Sequence, residues 1–304
     1  VKLFLLGATR PGQWKCDVAD AGRALGWQVT HQLDRDVSCD QVVRLAAGHD
    51  LFLWARTHGK QPSGNLTIMI DRLRGLSIPT AGLHLDLYHG LTHRDSRVGR
   101  DPWWSLDYVF TADGGPQKWF RDRGVNHFWC PPAMGLARLG RGQVVPELSS
   151  RVAFTGRLTV FHGRHRRDLL VWAKRTFGKG FVQYVPPNNG VYGARLNDLC
   201  ASAWVMIGDS APSDYYWSDR IPTTMGRGGM LAHPRTPGLE EQGFTKENMI
   251  LYDRFDFQEL ARQVSDLTEQ DRKDRTEAAL ALIADRHLWT HRLVHIADTV
   301  LGKH

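Results

Sequence analysis

The segment AGLHLDLYHG, Ala81 to Gly90, sets one carboxylate, Asp86, between two imidazoles, His84 and His89. A hydroxyl group has a very high pKa, so its attack as a nucleophile needs a carboxylate or imidazole placed to take the proton. Asp86, His84 and His89 are the candidates for that base; the competing reading is a carboxylate that caps a helix or pairs with Arg94. Anion binding is the second chemistry on offer. From Asp209 to Asp253 the chain runs through a strand end, a polar loop with Arg220, a short helix, a Gly228-Gly229 turn and an apolar strand, Met230 to His233. A Pro/Gly loop with Gly238, Glu240 and Glu241 follows, then another short strand. That order places a cation and a glycine-containing loop at the carboxyl ends of neighbouring parallel strands, where phosphorylated ligands bind in open α/β sheets. An earlier strand ends alike, in Thr155-Gly156-Arg157, so Arg157 and Arg220 are the guanidinium groups expected to meet a phosphate. The cluster after it, His162 to Arg167, reads as a solvated helix start carrying Arg164, Arg166 and Arg167.

Two further segments carry weaker signals. The loop Gly7 to Gly12, with Thr9 and Arg10, would let backbone N–H groups approach a phosphate or sugar, or is a turn that needs glycine. It matches neither G-x-G-x-x-G nor G-x-x-x-x-G-K-[ST], which leaves a dinucleotide oxidoreductase or a P-loop without its fingerprint. In THRDSRVGRDPWW, Thr92 to Trp104, the cations Arg94, Arg97 and Arg100 interleave with Trp103 and Trp104. Indole stacking with phosphate pairing would suit DNA, including a base flipped out of the duplex. The alternative is two core tryptophans and three solvated arginines. HLD at His84 to Asp86 is weak as a metal site, and no metal is expected.

The elements that must position these residues are legible as alternating apolar runs and amphipathic stretches, the pattern of βαβ units around a parallel sheet. Strands are expected at Lys2–Leu6, Gln28–Gln32, Leu51–Ala55, Thr80–His84, Tyr108–Thr111 and Phe128–Trp129, with helices at Trp14–Leu25, Leu66–Leu73 and Gln117–Arg123. A linker of low hydrophobicity, Gly135 to Ser149, precedes a second α/β set. Its strands are expected at Arg151–Thr155, Val182–Val185, Trp204–Ile207, Met230–His233 and Asn248–Tyr252. Its helices are expected at Arg164–Phe177, Gly193–Ala201 and Phe257–Leu267, the last capped by Asp256. Gln270 to Leu301 reads as helical throughout.

Length and composition bound the rest. A chain of 304 residues can bury two cores, and 42% apolar with 23% charged residues fits a globular enzyme. No apolar run approaches the roughly 18 residues of a membrane span, and VKLFLLGATRPG is too short for a signal peptide. The four cysteines are scattered without a C-x-x-C pair, which predicts free thiols in a reducing, cytoplasmic compartment. A net charge of +7 favours polyanionic partners, either a nucleotide diphosphate in a basic site or nucleic acid on a surface.

The run from Ser218 to Arg220, followed eight residues later by Gly228-Gly229 and an apolar strand, resembles the second domain of GT-B glycosyltransferases. The resemblance is to the CgeB-like group, whose pattern there is S-x-R-x-F-E-x-x-x-x-G-G. The group's aromatic and glutamate fall here on Pro222 and Thr223, and that glutamate usually holds the nucleotide ribose. The resemblance implies two Rossmann-like domains facing across a cleft: residues 1–148 on the acceptor side and 149–304 on the nucleotide-sugar side, with the last helix crossing back. It implies a UDP-sugar as co-substrate, no tightly bound cofactor and no metal. For the donor it implies Arg157, Ser218, Arg220, Thr223, Gly228, Gly238 and Glu240, with Tyr192 and Asn197 where the base stacks and hydrogen-bonds. Asp86 becomes the base if the reaction inverts. Gly7, Thr9, Arg10, Arg94, Arg97, Arg100 and Trp103 fall on the acceptor side. Hydroxymethyl-pyrimidine DNA of the kind modified by phage enzymes is the first acceptor to consider, ahead of a protein, a surface glycan or a small molecule; the setting would be a bacterial or phage-infected cytoplasm. A non-catalytic nucleotide- or nucleic-acid-binding protein, with Thr223 marking a lost donor site, is the competing reading.

Overall fold

Leu3 to Leu6 and Leu51 to Ala55 are fully buried along their whole length, as strands must be when helices cover both faces of a parallel sheet. The computed structural model describes residues 1–9, 12–56, 61–157, 163–186 and 189–302. In chain order the first elements are β1 (Lys2–Gly7), α1 (Trp14–Ala24), β2 (Gln28–Gln32), α2 (Cys39–Ala46), β3 (Leu51–Ala55), α3 (Leu66–Gly75), β4 (Thr80–His84), α4 (Thr92–Asp95), β5 (Tyr108–Thr111), α5 (Gln117–Arg121) and β6 (His127–Trp129). Then come β7 (Ser150–Thr155), α6 (Gly163–Phe177), β8 (Phe181–Tyr184), α7 (Ala194–Ser202), β9 (Ala203–Ile207), α8 (Arg220–Met225), β10 (Leu231–Pro234), β11 (Ile250–Tyr252), α9 (Phe257–Asp266), α10 (Glu269–Arg286) and α11 (Trp289–Leu301).

The strands form two parallel sheets, ordered β2-β1-β3-β4-β5-β6 and β11-β10-β9-β7-β8. Each sheet reverses its winding once, between β1 and β3 in the first and between β7 and β9 in the second. The loops leaving those strands diverge to opposite faces there and leave a crevice, the usual ligand position of such sheets.

The chain divides into two compact units, Val1–Pro131 with Leu288–His304, and Pro132–His287. The expected division at 148/149 falls inside the second unit. The reason is where the backbone of the 132–149 segment finds its partners: Asn197 Nδ2 donates to the carbonyls of Arg138 (3.1 Å) and Gly140 (2.9 Å), and Val145 N–H donates to Ser202 Oγ at 2.8 Å.

Two elements differ from the sequence expectation. The terminal helix is broken at His287 and Leu288, where the His287 ring bonds the Gln242 carbonyl (2.9 Å) and Leu288 N–H donates to His291 Nδ1 (3.1 Å). Only α11 joins the first unit, where Trp289 stacks on Trp14 at 5.5 Å. Helix α2 was unforeseen although its capping box, Ser38 with Gln41, is present. Asp256 caps α9 as expected, accepting from Glu259 N–H. Cys39, Cys130 and Cys200 are buried free thiols and Cys16 is a half-buried one. Among the described residues, no helix is long and apolar enough to cross a membrane.

Candidate functional site

In the second unit, β7 ends at Thr155 and the backbone turns through Gly156 at φ +145°, a conformation that side chains disfavour. The Arg220 guanidinium occupies the space a Cβ at 156 would need. Its Nε donates to the Thr155 carbonyl at 3.0 Å and its Nη1 to Ser218 Oγ at 3.3 Å, while its flat face lies 5.3 Å from the Phe154 ring. Ser218 Oγ also accepts from Arg220 N–H and donates to the Asp209 carbonyl, so Ser218 and Arg220 form one unit at the start of α8. Arg157 follows directly and is exposed. Both expected phosphate-facing arginines therefore sit at the crevice between β7 and β9.

A buried polar chain supports that loop. Ser218 N–H donates to Ser210 Oγ (2.8 Å), and the Ser210 hydroxyl meets His233 Nε2 at 2.9 Å. The other ring nitrogen of His233 lies 2.8 Å from the Pro234 carbonyl, so Nδ1 carries the proton and Nε2 accepts. Burial drives the His233 pKa down to about 3 and keeps the ring neutral. Arg254 Nη1 donates to the Ser210 carbonyl at 3.1 Å. Arg166, expected to be solvated, is 2% exposed and pairs with the fully buried Asp209 at 2.7 Å. A run of cations such as HGRHRR hides which member turns inward, and Arg166, Asp209, Ser210 and His233 were all missed.

After β10 a cavity of about 350 Å³ is lined by Arg235, Thr236, Gly238, Leu239, Glu240 and Glu241. Gly238 is there by necessity: its φ is +90° and a Cβ would strike the Tyr215 ring at 2.5 Å. Tyr215 itself is held at φ +53°, donating N–H to the Pro237 carbonyl (3.0 Å) and its hydroxyl to Glu241 (2.7 Å). Glu240 is an exposed carboxylate on the rim.

Three of the expected donor residues have structural duties instead. Asn197 spends both amide hydrogens on the 138 and 140 carbonyls and accepts from Arg227 Nε (2.9 Å) at its oxygen, leaving no donor for a nucleotide base. Gly228 and Gly229 lie at the opposite end of α8 from Arg220. Gly228 is at φ +71° against Arg141, and a Cβ on Gly229 would meet Thr224 and Cys200, so turn geometry and packing explain both. Thr223 bonds back along its helix to the Asp219 carbonyl at 2.6 Å, satisfying the hydroxyl locally. Tyr192 is exposed beside the start of α7.

In the first unit, Asp86 stands just beyond β4 with its side chain 44% exposed, 3.7 Å from Arg94 Nη2. The pairing with Arg94 is thus present, in a carboxylate still open to solvent. His84 is buried with its edge toward Tyr88 and Trp103, and its Nδ1 accepts Asp86 N–H at 3.1 Å; it shapes the loop and is not placed as an open base. His89 is exposed beside Trp119. The loop is anchored by Asp113, which sequence reading missed. This fully buried carboxylate accepts N–H bonds from Tyr88 (3.2 Å) and His89 (2.9 Å), and burial raises its pKa.

The acceptor-side expectations change most. Trp103 is fully buried and packs where a Cβ on Gly82 would be, and Trp104 is 3% exposed, so neither indole is a stacking platform. Arg94 clamps the Leu87 carbonyl at 2.7 Å and lies 5.8 Å from the Tyr88 ring, so it is part of the loop's own framework. Arg97 and Arg100 are exposed. Gly7 is needed because a Cβ would lie 2.8 Å from the Ala55 carbonyl on the neighbouring strand; Thr9 is exposed, and Arg10 lies outside the described residues. Among the described residues, no three His, Cys, Asp or Glu side chains are grouped to hold a metal ion.

The fold recurs in solved glycosyltransferase structures. Anabaena HepE in complex with UDP and glucose superposes with a TM-score of 0.65 at 14% identity, covering 99% of this chain and 100% of its own. Sucrose-phosphate synthase from Thermosynechococcus elongatus gives 0.64 at 11% identity, covering 99% of each chain. An α,α-trehalose 6-phosphate synthase from Burkholderia multivorans gives 0.65 at 14%, covering 99% of this chain and 97% of its own. Two parallel sheets with flanking helices, as here, are the GT-B architecture. No curated protein matches the chain in sequence. Residues 146–298, just over half of the chain, match the profile of the glycosyl transferase-like family, and they contain Arg157, Arg166, Asp209, Ser218 and Arg220; the chain belongs to that family and is a glycosyltransferase.

Proposed function

We propose that this glycosyltransferase transfers a sugar from a UDP-sugar to a hydroxyl acceptor. The observation that carries the donor assignment is the Arg220 guanidinium, folded over Gly156 at the crevice between β7 and β9 and held by Thr155 and Ser218. When the bond from the anomeric carbon to the diphosphate breaks, the electron pair leaves on a phosphate oxygen. Arg220, held in its seat, and Arg157, exposed beside it, are cations that stabilise it, a role a metal ion fills in other enzymes. HepE, of the same fold, has been solved with UDP-glucose, which supports uracil as the base. The cavity by Gly238 and Glu240 is assigned to the donor sugar, whose hydroxyls a carboxylate can bind. In an inverting displacement Asp86 takes the acceptor proton as the acceptor oxygen bonds to the anomeric carbon.

The test is transfer or hydrolysis screened over several UDP-sugars, with and without EDTA, for the unaltered protein, Asp86→Asn and Arg220→Ala. Loss of turnover in both folded variants, with EDTA harmless, is the expected result. Full activity in both variants refutes the site. Hydroxymethyl-pyrimidine DNA remains the acceptor to test first. The net charge of +7 and the exposed Arg97 and Arg100 support it, and the burial of Trp103 and Trp104 removes its stacking platform. Gel shift with duplex DNA at rising salt decides, because phosphate contacts weaken steeply with salt; no binding at low salt ends the DNA reading.

A further inference from the structure

Arg166 projects from α6 beneath the crevice where β7 and β9 part. Its Nε donates to Asp209 Oδ1 at 2.7 Å, and its Nη1 donates to the Arg157 carbonyl at 2.9 Å. Asp209 belongs to the loop leaving β9 and Arg157 to the loop leaving β7, so one planar guanidinium ties the two walls of the crevice together. The tie continues to Arg220. The Asp209 carbonyl accepts from Ser218 Oγ, which in turn accepts from Arg220 Nη1. Phe154 completes the arrangement, with the Arg166 guanidinium 5.7 Å and the Arg220 guanidinium 5.3 Å from its ring.

A buried ion pair is a poor device for stability alone, since apolar side chains of similar volume usually serve as well. Here both partners are at most 2% exposed, and Arg166 Nη2 is buried without a hydrogen-bond partner among the described residues, so the site has paid desolvation beyond what its own contacts return. What arginine offers at such a place is a rigid fork that fixes the relative position of two acceptors. We infer that Arg166 is a positioning residue for the donor diphosphate: by joining Asp209 to the Arg157 carbonyl it sets the spacing and orientation of Arg157 and Arg220. The inference rests on the donor assignment above and adds to it a residue that touches no substrate.

Arg166→Lys keeps the charge opposite Asp209 but replaces the rigid planar fork with one compact ammonium on a flexible stem; Asp209→Asn keeps the shape and removes the charge. Binding of UDP and of uridine is measured by calorimetry or ligand-observed NMR on the unaltered protein and both variants. A charge-assisted contact to the diphosphate that is weakened or lost costs roughly ten- to a hundredfold in affinity, so UDP binding should weaken by about that much in each variant. Uridine, which lacks phosphate, should bind each variant as it binds the unaltered protein. Equal UDP affinity in Arg166→Lys overturns the inference. So does a parallel loss of uridine binding, which would make the pair a support of the fold alone. If Arg166 acts through Arg220, then Arg166→Lys added to Arg220→Ala costs much less than it does alone; full additivity overturns that route. Failure of the unaltered protein to bind UDP at all refutes the donor assignment instead, and is distinguishable from every outcome above.

Discussion

Replacing Gly156 by alanine should disable the enzyme as Arg220→Ala does, although residue 156 offers no side chain to any ligand. A Cβ built there overlaps Arg220 Nη2 and lies 3.0 Å from Cζ, so the guanidinium must leave its seat over the Phe154 ring. The backbone adds its own penalty, because φ is +145° and alanine tolerates that poorly. Such strain costs about 1–3 kcal/mol. In a domain of this size that lowers the melting temperature by roughly 2–12 °C. The functional cost is separate. Loss of a charge-assisted contact to the leaving diphosphate is worth about 1.5–3 kcal/mol, which is about a 10- to 150-fold fall in kcat/KM.

The assay is UDP release under donor turnover, with Gly178→Ala as a control. Gly178 also has a positive φ, +51°, but a Cβ there meets nothing within 4 Å. That variant should lose stability comparably and keep its turnover. If Gly156→Ala retains full kcat/KM while Arg220→Ala loses it, the seat of Arg220 is not where the chemistry needs it. If Gly178→Ala loses as much activity as Gly156→Ala, general destabilisation explains both and the argument fails.

Three other outcomes follow from the same geometry. Trp103→Ala should cost about 3–5 kcal/mol of first-unit stability in denaturant unfolding, whereas Arg97→Ala and Arg100→Ala should stay within about 0.5 kcal/mol; a mild Trp103→Ala would contradict its burial. Asn197→Ala removes two donors to the 138–140 backbone and the acceptor for Arg227 Nε, which should destabilise the second unit by about 1–3 kcal/mol without weakening UDP binding. Acid should destabilise the second unit through His233, whose pKa burial lowers from 6.5 to about 3. Below pH 6.5 the unfolded chain takes up a proton that the native ring refuses, so stability is complete above that pH and falls by about 1.4 kcal/mol per pH unit down toward 3. His233→Gln should flatten that limb of a pH-resolved unfolding profile; an unchanged slope would refute a neutral buried His233.

The sheets were readable because parallel strands covered on both faces are short continuous apolar runs. Leu51–Ala55 and Thr80–His84 stand in the structure with the expected limits. Reading a helix through His287 failed because apolar residues recur on both sides of the break, while the bonds that end α10 come from Gln242 and His291, one of them distant in sequence. The site was half legible for a similar reason. Strand ends can be placed from local pattern, which put Arg157 just after β7 and Asp86 just beyond β4, whereas Arg220 opens α8 and reaches the end of β7 through its side chain. Which polar side chains turn inward depends on partners tens of residues away: Arg166 finds Asp209, Asp113 finds the backbone of Tyr88 and His89, and Asn197 finds the 138–140 segment. Trp103 was open between surface and core until Gly82, whose missing Cβ receives it, was placed beneath it.

Net charge shows the same limit, and bears on the acceptor. A formal +7 counts every arginine equally, yet several are interior clamps on backbone carbonyls. Arg272 bonds the carbonyls of Ala201, Ala203 and Trp204, Arg292 that of Pro131, and Arg227 that of Thr223. Arg166 is buried with Asp209. Burial lowers the pKa of Arg272 and Arg292 and brings that of Arg166 to about 10, still far above neutrality, so these cations stay charged while offering little to a surface ligand. Fewer arginines are therefore available to contact a duplex than the composition states. Each phosphate contact adds about 0.9 to the slope of log affinity against log salt. A protein whose exposed arginines in the Thr92–Trp104 segment are Arg97 and Arg100 should give a shallow slope from that segment, near two. A slope several-fold steeper that collapses in Arg97→Ala/Arg100→Ala would show that this segment organises a polyanion surface after all.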